Sequence, residues 1–336
     1  MTPETDTKAP LPVKHAEWLV TSLPFSPAAI NDANLIVGQR TARRTAVTKP
    51  RTSAVQFQNG TLQELPFIVS DGGFSAAVDV SSLGAIVGKT NNQAQQPAVV
   101  WFPLPLALPE APVGVFVPAA INKNLNVVGS SFDAEVAFKW HDPFGYQGLN
   151  PPDNLKNRPT FATDINDNGY TSGVAETQSE AFPIVWTPQN VALQDSRKIG
   201  LWPNVIARSY PHINNHGDVE LLSTGPYVTV LHLNGTFDLL PTIPDPVTLD
   251  GISDEGRLIG TSRVDGALRG WTFYKNNLVW LTPPVSDAGA FVQPTGVNTC
   301  GNIVGIVMNQ SAGFISGVVY TKELLIQCDN RVGTHK

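Results

Sequence analysis

Charged side chains are scarce in this chain: they make up 15% of its 336 residues, against about a quarter in an average domain. The formal net charge is −6, which argues against a nucleic-acid partner, because nucleic acids are bound by a basic face. Cysteine is almost absent, with 2 residues, which excludes a fold held together by many disulfides. We expect Cys300 and Cys328 not to be joined to each other.

The sequence also lacks an apolar N-terminal segment of the kind found in secretory signals. We therefore expect a cytoplasmic chain, with secretion as a trimmed mature form as the alternative. One long apolar stretch, residues 98–121, carries a single charge but five prolines. A membrane-spanning helix would hardly tolerate those prolines, so we expect no membrane partner.

A short motif that recurs along the chain is its main positive feature. An aliphatic residue, here called the anchor, is followed by a polar turn and then by a further apolar stretch. The anchors of the seven copies are Ile30, Val80, Ile121, Ile165, Ile213, Ile252 and Val297. Six of the seven copies have Gly eight positions after the anchor, and the fifth copy has Leu221 there. Self-similarity at this spacing indicates a repeat architecture.

The turn in the fourth copy also matches the start of a calcium-binding loop. Residues 164–169 read DINDNG, as in an EF-hand. The twelfth position of such a loop needs a bidentate Glu, and here it is Ala175. Because the other copies share the turn, we interpret Asn, Asp or Ser after the anchor as a turn cap. The following Gly, or Asn34 in the first copy, should have a positive φ. The third copy departs from this pattern, with Leu125 there.

The rest of each copy predicts three more strands. Aromatic strands end at Phe57, Trp101, Trp140 and Trp186, and Asn-Gly pairs follow where hairpin turns are expected. Four short antiparallel strands in seven copies predict an all-β, seven-bladed β-propeller, with an open β-solenoid as the alternative. We expect one propeller domain over residues 16–330, closed by residues 17–23. Residues 1–15 are predicted to be a flexible segment, and residues 331–336 a tail.

The repeat resembles the HAF-type family of probable extracellular β-propeller repeats. The resemblance rests on A-x-x-I-N-D-x-G-x-V-G followed by A-F-x-W, and it covers roughly residues 17–328. The histidine of the family motif is replaced by Val136 in one copy and Glu180 in another. The resemblance implies a propeller fold and extracellular relatives, and it brings no catalytic motif with it.

Residues next to the anchors are the best candidates for a functional site. The residue before the anchor is Ala or Gly in four copies, and it is Asp79, Asp164 or His212 in the other three. In the sixth copy Asp250 stands two residues before the anchor. Inner strands line the channel of a propeller, so these four side chains should meet at the channel mouth.

The fifth copy carries further polar residues on its inner strand. Arg208, Tyr210 and His212 alternate, which predicts that they share one strand face. They follow the longest connection between units, residues 194–208, which contains Trp202. Long connections often cover binding sites, so Trp202 is a candidate ligand-binding residue. Two arginines of a basic loop in the first unit are weaker candidates: Arg43 and Arg44.

Together these residues predict a small-molecule enzyme of lyase, isomerase or cyclase type. His212, oriented by Asp79, Asp164 or Asp250, would act as acid or base without a metal or cofactor. Tyr210 and Arg208 would hold an anion or an enolate. The alternative is a non-catalytic propeller that binds a ligand, a glycan or a protein. The sequence leaves the substrate and the oligomeric state open.

Overall fold

The computed structural model describes residues 13–15, 18–41, 51–67, 74–90, 98–131, 133–176, 181–193, 210–222, 228–240, 243–309, 311 and 313–322. Within these ranges the chain is almost entirely strand, with one short 3-10 helix at Asp153–Leu155. No helix in this part of the chain is long and apolar enough to span a membrane. The strands form seven antiparallel sheets, which confirms the seven-bladed β-propeller.

The first four blades follow the chain in order, each from its inner to its outer strand. Blade 1 contains β3 (Ser26–Ile30), β4 (Ile36–Thr41), β5 (Thr52–Gln58) and β6 (Thr61–Glu64). Blade 2 contains β7 (Ser75–Val80), β8 (Ile86–Thr90), β9 (Ala98–Trp101) and β10 (Pro105–Ala107). Blade 3 contains β11 (Phe116–Ile121), β12 (Val127–Ser131), β13 (Val136–His141) and β14 (Gly145–Gly148). Blade 4 contains β15 (Thr160–Ile165), β16 (Thr171–Glu176) and β17 (Ala181–Trp186).

The last three blades complete the ring. Blade 5 contains β18 (Val219–Leu222), β19 (Val228–Leu231) and β20 (Phe237–Leu240), with a single inner bridge from Ile213 to Val219. Blade 6 contains β21 (Pro246–Ile252), β22 (Leu258–Val264), β23 (Ala267–Tyr274) and β24 (Asn277–Trp280). Blade 7 contains β25 (Ala290–Val297), β26 (Ile303–Asn309) and β27 (Gly313–Lys322), and two N-terminal strands extend it: β2 (Trp18–Leu23) and β1 (Val13–His15).

The N-terminal strands close the ring. β2 pairs with β27, Trp18 opposite Lys322 and Leu23 opposite Gly317, which confirms the predicted closure by residues 17–23. Val13–His15, assigned from sequence to the N-terminal segment, pairs with β2. Closure leaves β27 without the unpaired edge that an open ring would expose.

The apolar core lies between neighbouring blades. In one cluster Ala120 and Val128 of blade 3 pack with Ile165 and Trp186 of blade 4, and all four are buried. Trp186 ends the third strand of its blade, as the aromatic pattern predicted. Its indole nitrogen donates to the Asn150 carbonyl at 2.8 Å, so the polar end of the ring is satisfied inside the core.

The constant spacing between anchor and Gly reflects a close approach of backbones. A Cβ added at Gly88 would lie 2.1 Å from the Ala76 carbonyl oxygen of the inner strand, and the five equivalent glycines would meet inner-strand carbonyls in the same way. Blade 5 has Leu221 at this position. In the described part of its inner segment, which begins at Tyr210, the contacts with β18 are the bridge from Ile213 to Val219 and the bond from the Glu220 amide to the His212 carbonyl.

The seven anchor turns lie together at one end of the channel, here called the anchor end. The position three residues after the turn cap has positive φ at Asn34 and the five glycines, as predicted, and also at Leu125, which departs from the pattern in residue type. In five copies the residue after the anchor is Asn, and its Nδ2 donates to the equivalent carbonyl of the next blade. These bonds run from Asn31 to Ser81, Asn122 to Asn166, Asn166 to Asn214, Asn214 to Ser253 and Asn298 to Asn31.

The motif that resembled a calcium loop is part of this ring. Asn166 Oδ1 accepts the amides of Asn168 and Tyr170 at 3.1 and 3.0 Å, while Asp167 Oδ1 accepts the Lys123 amide of blade 3 at 2.9 Å. Within the described ranges no three acidic, histidine or cysteine side chains are arranged to hold a metal ion. These polar side chains are instead used to cap the turn and to join blades.

The prediction that the two cysteines are not joined is wrong. Cys300 is disulfide-bonded, and the only other cysteine of the chain, Cys328, lies outside the described residues. The prediction assumed that Cys328 ends the outer strand of blade 7. That position belongs to β2, and β27 ends beside Ile303, so the chain leaves β27 at the anchor end, where Cys300 lies.

Candidate functional site

The inner strands bring four of the predicted residues into the channel wall. Asp79, Asp164 and His212 precede the anchors of blades 2, 4 and 5, and Asp250 lies on β21 of blade 6. His212 and Asp164 keep 33% and 23% of their side-chain surface accessible. Because both positions lie on the inner side of the ring, this surface faces the channel.

A β-bulge sets the direction of these side chains. In the six blades with a paired inner strand, the register shifts just before the anchor, for example between Ala162 and Asp164 in β15. In β21 the shift lies between Leu249 and Gly251, so Asp250 is the bulged residue. The bulge turns two successive residues towards the channel, which is why Asp250 joins the site although it stands one position earlier than Asp79 and Asp164.

The carboxyl groups of blades 2 and 4 are fixed by neighbouring backbone. Asp79 Oδ2 accepts the Ile121 amide of blade 3 at 2.9 Å. Asp164 accepts its own strand's Ile165 amide at 2.7 Å and the Ile213 amide of blade 5 at 3.0 Å. These bonds hold both groups at blade junctions. Asp164 Oδ2 also lies 3.6 Å from His212 Nδ1, so it orients the imidazole.

Glu220 is a further member of the site that the repeat positions beside the anchors do not reveal. It lies on β18 directly beside His212, whose carbonyl accepts the Glu220 amide at 3.3 Å. The residue is fully buried, and in the described part of the chain neither carboxyl oxygen has a hydrogen-bond partner at bonding distance, although the Gly251 backbone lies near enough to lower its pKa. Its charge acts on His212, Asp250 and Asp164. Glu220 therefore forms the wall behind the imidazole.

A comparison along the second strand of each repeat carries the signal for Glu220. The residue stands seven positions after its anchor, where blades 1, 2, 3, 6 and 7 have Val or Ile and blade 4 has Ser172. Five aliphatic copies define a core position, and a Glu there departs from the pattern of the core. The departure lies after the anchor, whereas the other site residues depart from the pattern before it.

Burial and mutual charge displace the pKa values of the cluster. Burial is the main cause that raises the pKa of Asp79 to about 7, Glu220 to about 8 and Asp250 to about 6. Burial alone would lower the pKa of His212. The contact with Asp164 and the charges of Glu220, Asp164 and Asp250 outweigh it and raise that pKa to about 9. Such coupled shifts towards neutrality are typical of functional sites.

Tyr210 lies apart from this cluster. Its side chain is 48% exposed, and the carboxyl group that acts on it is Glu176, at the end of β16 away from the anchors. The predicted alternation placed Tyr210 and His212 on one face. In the other blades the bulge falls between these two positions, so strict alternation does not hold there. Tyr210 lies towards the end of the channel wall away from the anchors, here called the mouth end, whereas the cluster that was predicted for the channel mouth lies near the anchor end.

Four other candidates cannot be placed. Arg208 and Trp202, and the two arginines of the first unit, Arg43 and Arg44, lie outside the described residues. Their predicted roles as anion-holding, ligand-covering and substrate-binding residues stay predictions.

The comparisons with known proteins support the fold. No family model and no curated protein matches the chain, so the resemblance to HAF-type repeats stays a prediction. Among solved structures, a virginiamycin B lyase from Staphylococcus aureus, a catalytically inactive histidine-to-alanine variant with quinupristin, matches with a TM-score of 0.57 and 11% identity. The match covers 91% of this chain and 99% of that one.

Two other solved structures match over a similar share of this chain. YCF48 bound to D1 peptide has a TM-score of 0.51 and 10% identity, covering 93% of this chain and 98% of that one. A prolyl endopeptidase has a TM-score of 0.52 and 10% identity, covering 90% of this chain and 51% of that one. At these identities the likeness establishes a β-propeller and says nothing of activity.

Proposed function

We propose that the chain is a small-molecule enzyme of lyase, isomerase or cyclase type, in which the channel cluster supplies the acid and the base. The observation that supports this most is the gathering around the channel of five ionisable side chains, half-buried or buried, from blades 2, 4, 5 and 6: Asp79, Asp164, His212, Glu220 and Asp250. Withdrawing such groups from water costs stability.

The fold itself has no need of this cluster. Blades 1, 3 and 7 have Ala or Gly before the anchor and Val seven residues after it, and they form regular sheets. A destabilising group that the fold does not require is better explained by function than by structure. The residues at these positions also differ from blade to blade, which suits a single asymmetric pocket.

The raised pKa of His212 assigns the two chemical roles. With a pKa of about 9 the imidazole is protonated at neutral pH, so it is the acid rather than the base. Asp79, with a pKa of about 7, divides between its two forms and suits the base. Asp164 orients the imidazole through Nδ1, and no described residue bonds Nε2, which is left to donate its proton.

In the elimination form of the reaction, Asp79 takes a proton from a carbon next to a carbonyl group. The electron pair of that C–H bond forms a C=C bond as the bond to the leaving group breaks. Nε2 of His212 protonates the leaving group. Asp79 ends protonated and His212 neutral, and a proton returns to His212 through water. In an isomerase the proton is instead returned to the substrate at another position.

The fold neighbours are compatible with this proposal as examples of what a propeller can house. One is a lyase that a histidine-to-alanine change inactivates, although the 11% identity carries no residue assignment to this chain. Another binds a peptide, which corresponds to the non-catalytic alternative. The two functions differ in whether bonds to hydrogen are made and broken.

Exchange of carbon-bound hydrogen with solvent tests the proposal across many compounds at once. A panel of small carbonyl compounds, including esters and lactones, is incubated with the protein in D2O and followed by proton NMR. We expect loss of an α-proton signal or cleavage for at least one compound, and loss of that activity in His212→Ala. Glu64→Gln on the surface of blade 1 is the control. Binding without exchange or turnover would favour the non-catalytic propeller.

A further inference from the structure

We propose that the ligand of the channel site is an organic cation, an amine or ammonium compound, bound by the carboxyl groups of blades 2, 4 and 6. The inference rests on the proposed functional site and adds the chemical class of its ligand. It reverses the expectation that the site would hold an anion or an enolate.

The cluster has more acidic than basic groups. The cluster contains four carboxyl groups and one imidazole, and His212 is its only basic group among the described residues. Asp164 is matched with His212 at 3.6 Å. Asp79 and Asp250 are held by backbone and hydroxyl donors, and within the described ranges the one cation whose charge acts on them is the same His212. They are therefore left to balance a positive charge in the channel.

Glu220 is buried without a hydrogen-bond partner at bonding distance among the described residues. A fully buried carboxyl group without a hydrogen-bond partner is rare, because leaving it unpaired costs free energy. Glu220 faces the cluster, since its charge acts on His212, Asp250 and Asp164. As it ionises, around its pKa of about 8, it adds negative potential from inside the wall, and in a buried site such potential is weakly screened. A cation in the channel would offset that cost.

The mouth end of the channel carries further acidic groups and an exposed aromatic ring. Glu176 ends β16 there, and the nearby charge of Glu135 acts on it. Tyr210 is exposed beside Glu176, and an exposed aromatic ring next to carboxyl groups attracts organic cations through its π face. From Ser172 to Glu176 the strand extends roughly 13 Å, so these groups lie between solvent and the cluster. They would concentrate cations at the mouth.

The geometry favours an organic cation over a metal ion. No three ligating side chains of the described ranges converge as a metal site requires. The carboxyl groups instead come from three different blades and line the wall of the channel. A spread-out set of acceptors fits a larger ion with several N–H or C–H groups.

A charge series of one ring size tests the inference. Benzylammonium, benzyl alcohol and benzoate are titrated into the protein by calorimetry at about pH 6 and about pH 8, on either side of the pKa of Asp79. We expect benzylammonium to bind more tightly than benzyl alcohol, and benzoate not to bind. Affinity for the cation should rise with pH, because Asp79 and Glu220 ionise over this interval.

Variants locate the binding. Asp79→Asn and Asp250→Asn should each weaken benzylammonium binding about tenfold or more, the usual effect of removing one charged partner. Each keeps an oxygen for its backbone or hydroxyl donor. Glu64→Gln removes an equal charge from the exposed outer strand of blade 1 and should leave the affinity unchanged. Circular dichroism of all three variants, Glu64→Gln, Asp79→Asn and Asp250→Asn, reports on their folding.

Several outcomes would overturn the inference. These are tighter binding of benzoate or benzyl alcohol, no binding of benzylammonium at millimolar concentration, equal affinity in all variants, or displacement of the cation by Mg²⁺ or Ca²⁺ at stoichiometric levels. The proposed function can fail separately: if benzylammonium binds and no compound exchanges hydrogen, the site takes cations without catalysis. If exchange occurs and benzoate binds, only the charge class is wrong.

Discussion

Glu220 carries the clearest tension between stability and function at the scale of single residues. It occupies a position that is aliphatic in five other blades, and burying an ionisable group there costs free energy that Val would not. We predict that Glu220→Val stabilises the protein by roughly 1–3 kcal/mol in urea denaturation while abolishing exchange or cation binding. Ser172→Val, at the equivalent position of blade 4, is the control and should bring no gain in stability, because it removes a bond to the Pro211 carbonyl. A destabilised Glu220→Val would contradict this interpretation.

The cluster also predicts how stability depends on pH. Asp79, Glu220, Asp250 and His212 all have pKa values raised in the folded protein, to about 7, 8, 6 and 9. The folded state therefore binds more protons than the unfolded state between about pH 4 and pH 9, and stability falls as the pH rises through this window. Denaturation at several pH values should show the decline, and Glu220→Gln should flatten its alkaline part. Stability that rises with pH over this window would exclude the assigned shifts.

Sequence comparison locates much of this site because function and structure make different demands on equivalent positions. Asp79, Asp164 and His212 stand out against Ala and Gly. Glu220 escapes that comparison because it lies on the second strand, where only core is expected. The inner strands of the other blades carry a β-bulge between the positions equivalent to Tyr210 and His212, which no residue type in these strands predicts.

At the scale of the element, the anchor turn links each blade to the next. Asn166 caps its own turn through two amides and donates to the Asn214 carbonyl of blade 5 at 2.9 Å. At about 1 kcal/mol a bond, Asn166→Ala should cost roughly 2–4 kcal/mol. Asn124→Ala, an exposed turn residue of blade 3, is the control and should cost under about 0.5 kcal/mol. Equal effects of the two changes on the urea midpoint would show that the buried link contributes little.

The ring of links is interrupted in two places, which gives a stabilising test. Ser81 and Ser253 keep the turn through their hydroxyls but have no second donor for the next blade. We predict that Ser81→Asn adds the missing bond to the Asn122 carbonyl and raises the melting temperature.

The same turns should not depend on calcium. Added calcium or a chelator should leave the melting temperature of both proteins unchanged. Calcium-dependent melting would restore the metal interpretation of residues 164–169.

At the scale of the whole molecule, closure of the ring is predictable from the sequence, since residues 17–23 form a strand-like segment ahead of the first anchor. The pairing of β2 with β27 joins the two ends of the chain. The disulfide of Cys300 is not predictable in the same way, because residues 323–328 resemble an outer strand of blade 7 although β2 takes that position. The turn chemistry thus predicts the number of blades better than it predicts which strand completes the last one.

The most direct test of the account is the titration of His212 by NMR, with its ring signals assigned by comparison with His212→Ala. This imidazole lies among carboxyl groups that keep it protonated at neutral pH, with a pKa of about 9 that should fall in Glu220→Gln. A titration midpoint near the ordinary value of about 6.5 or below it, unchanged by Glu220→Gln, would contradict the coupled cluster and with it the proposed acid.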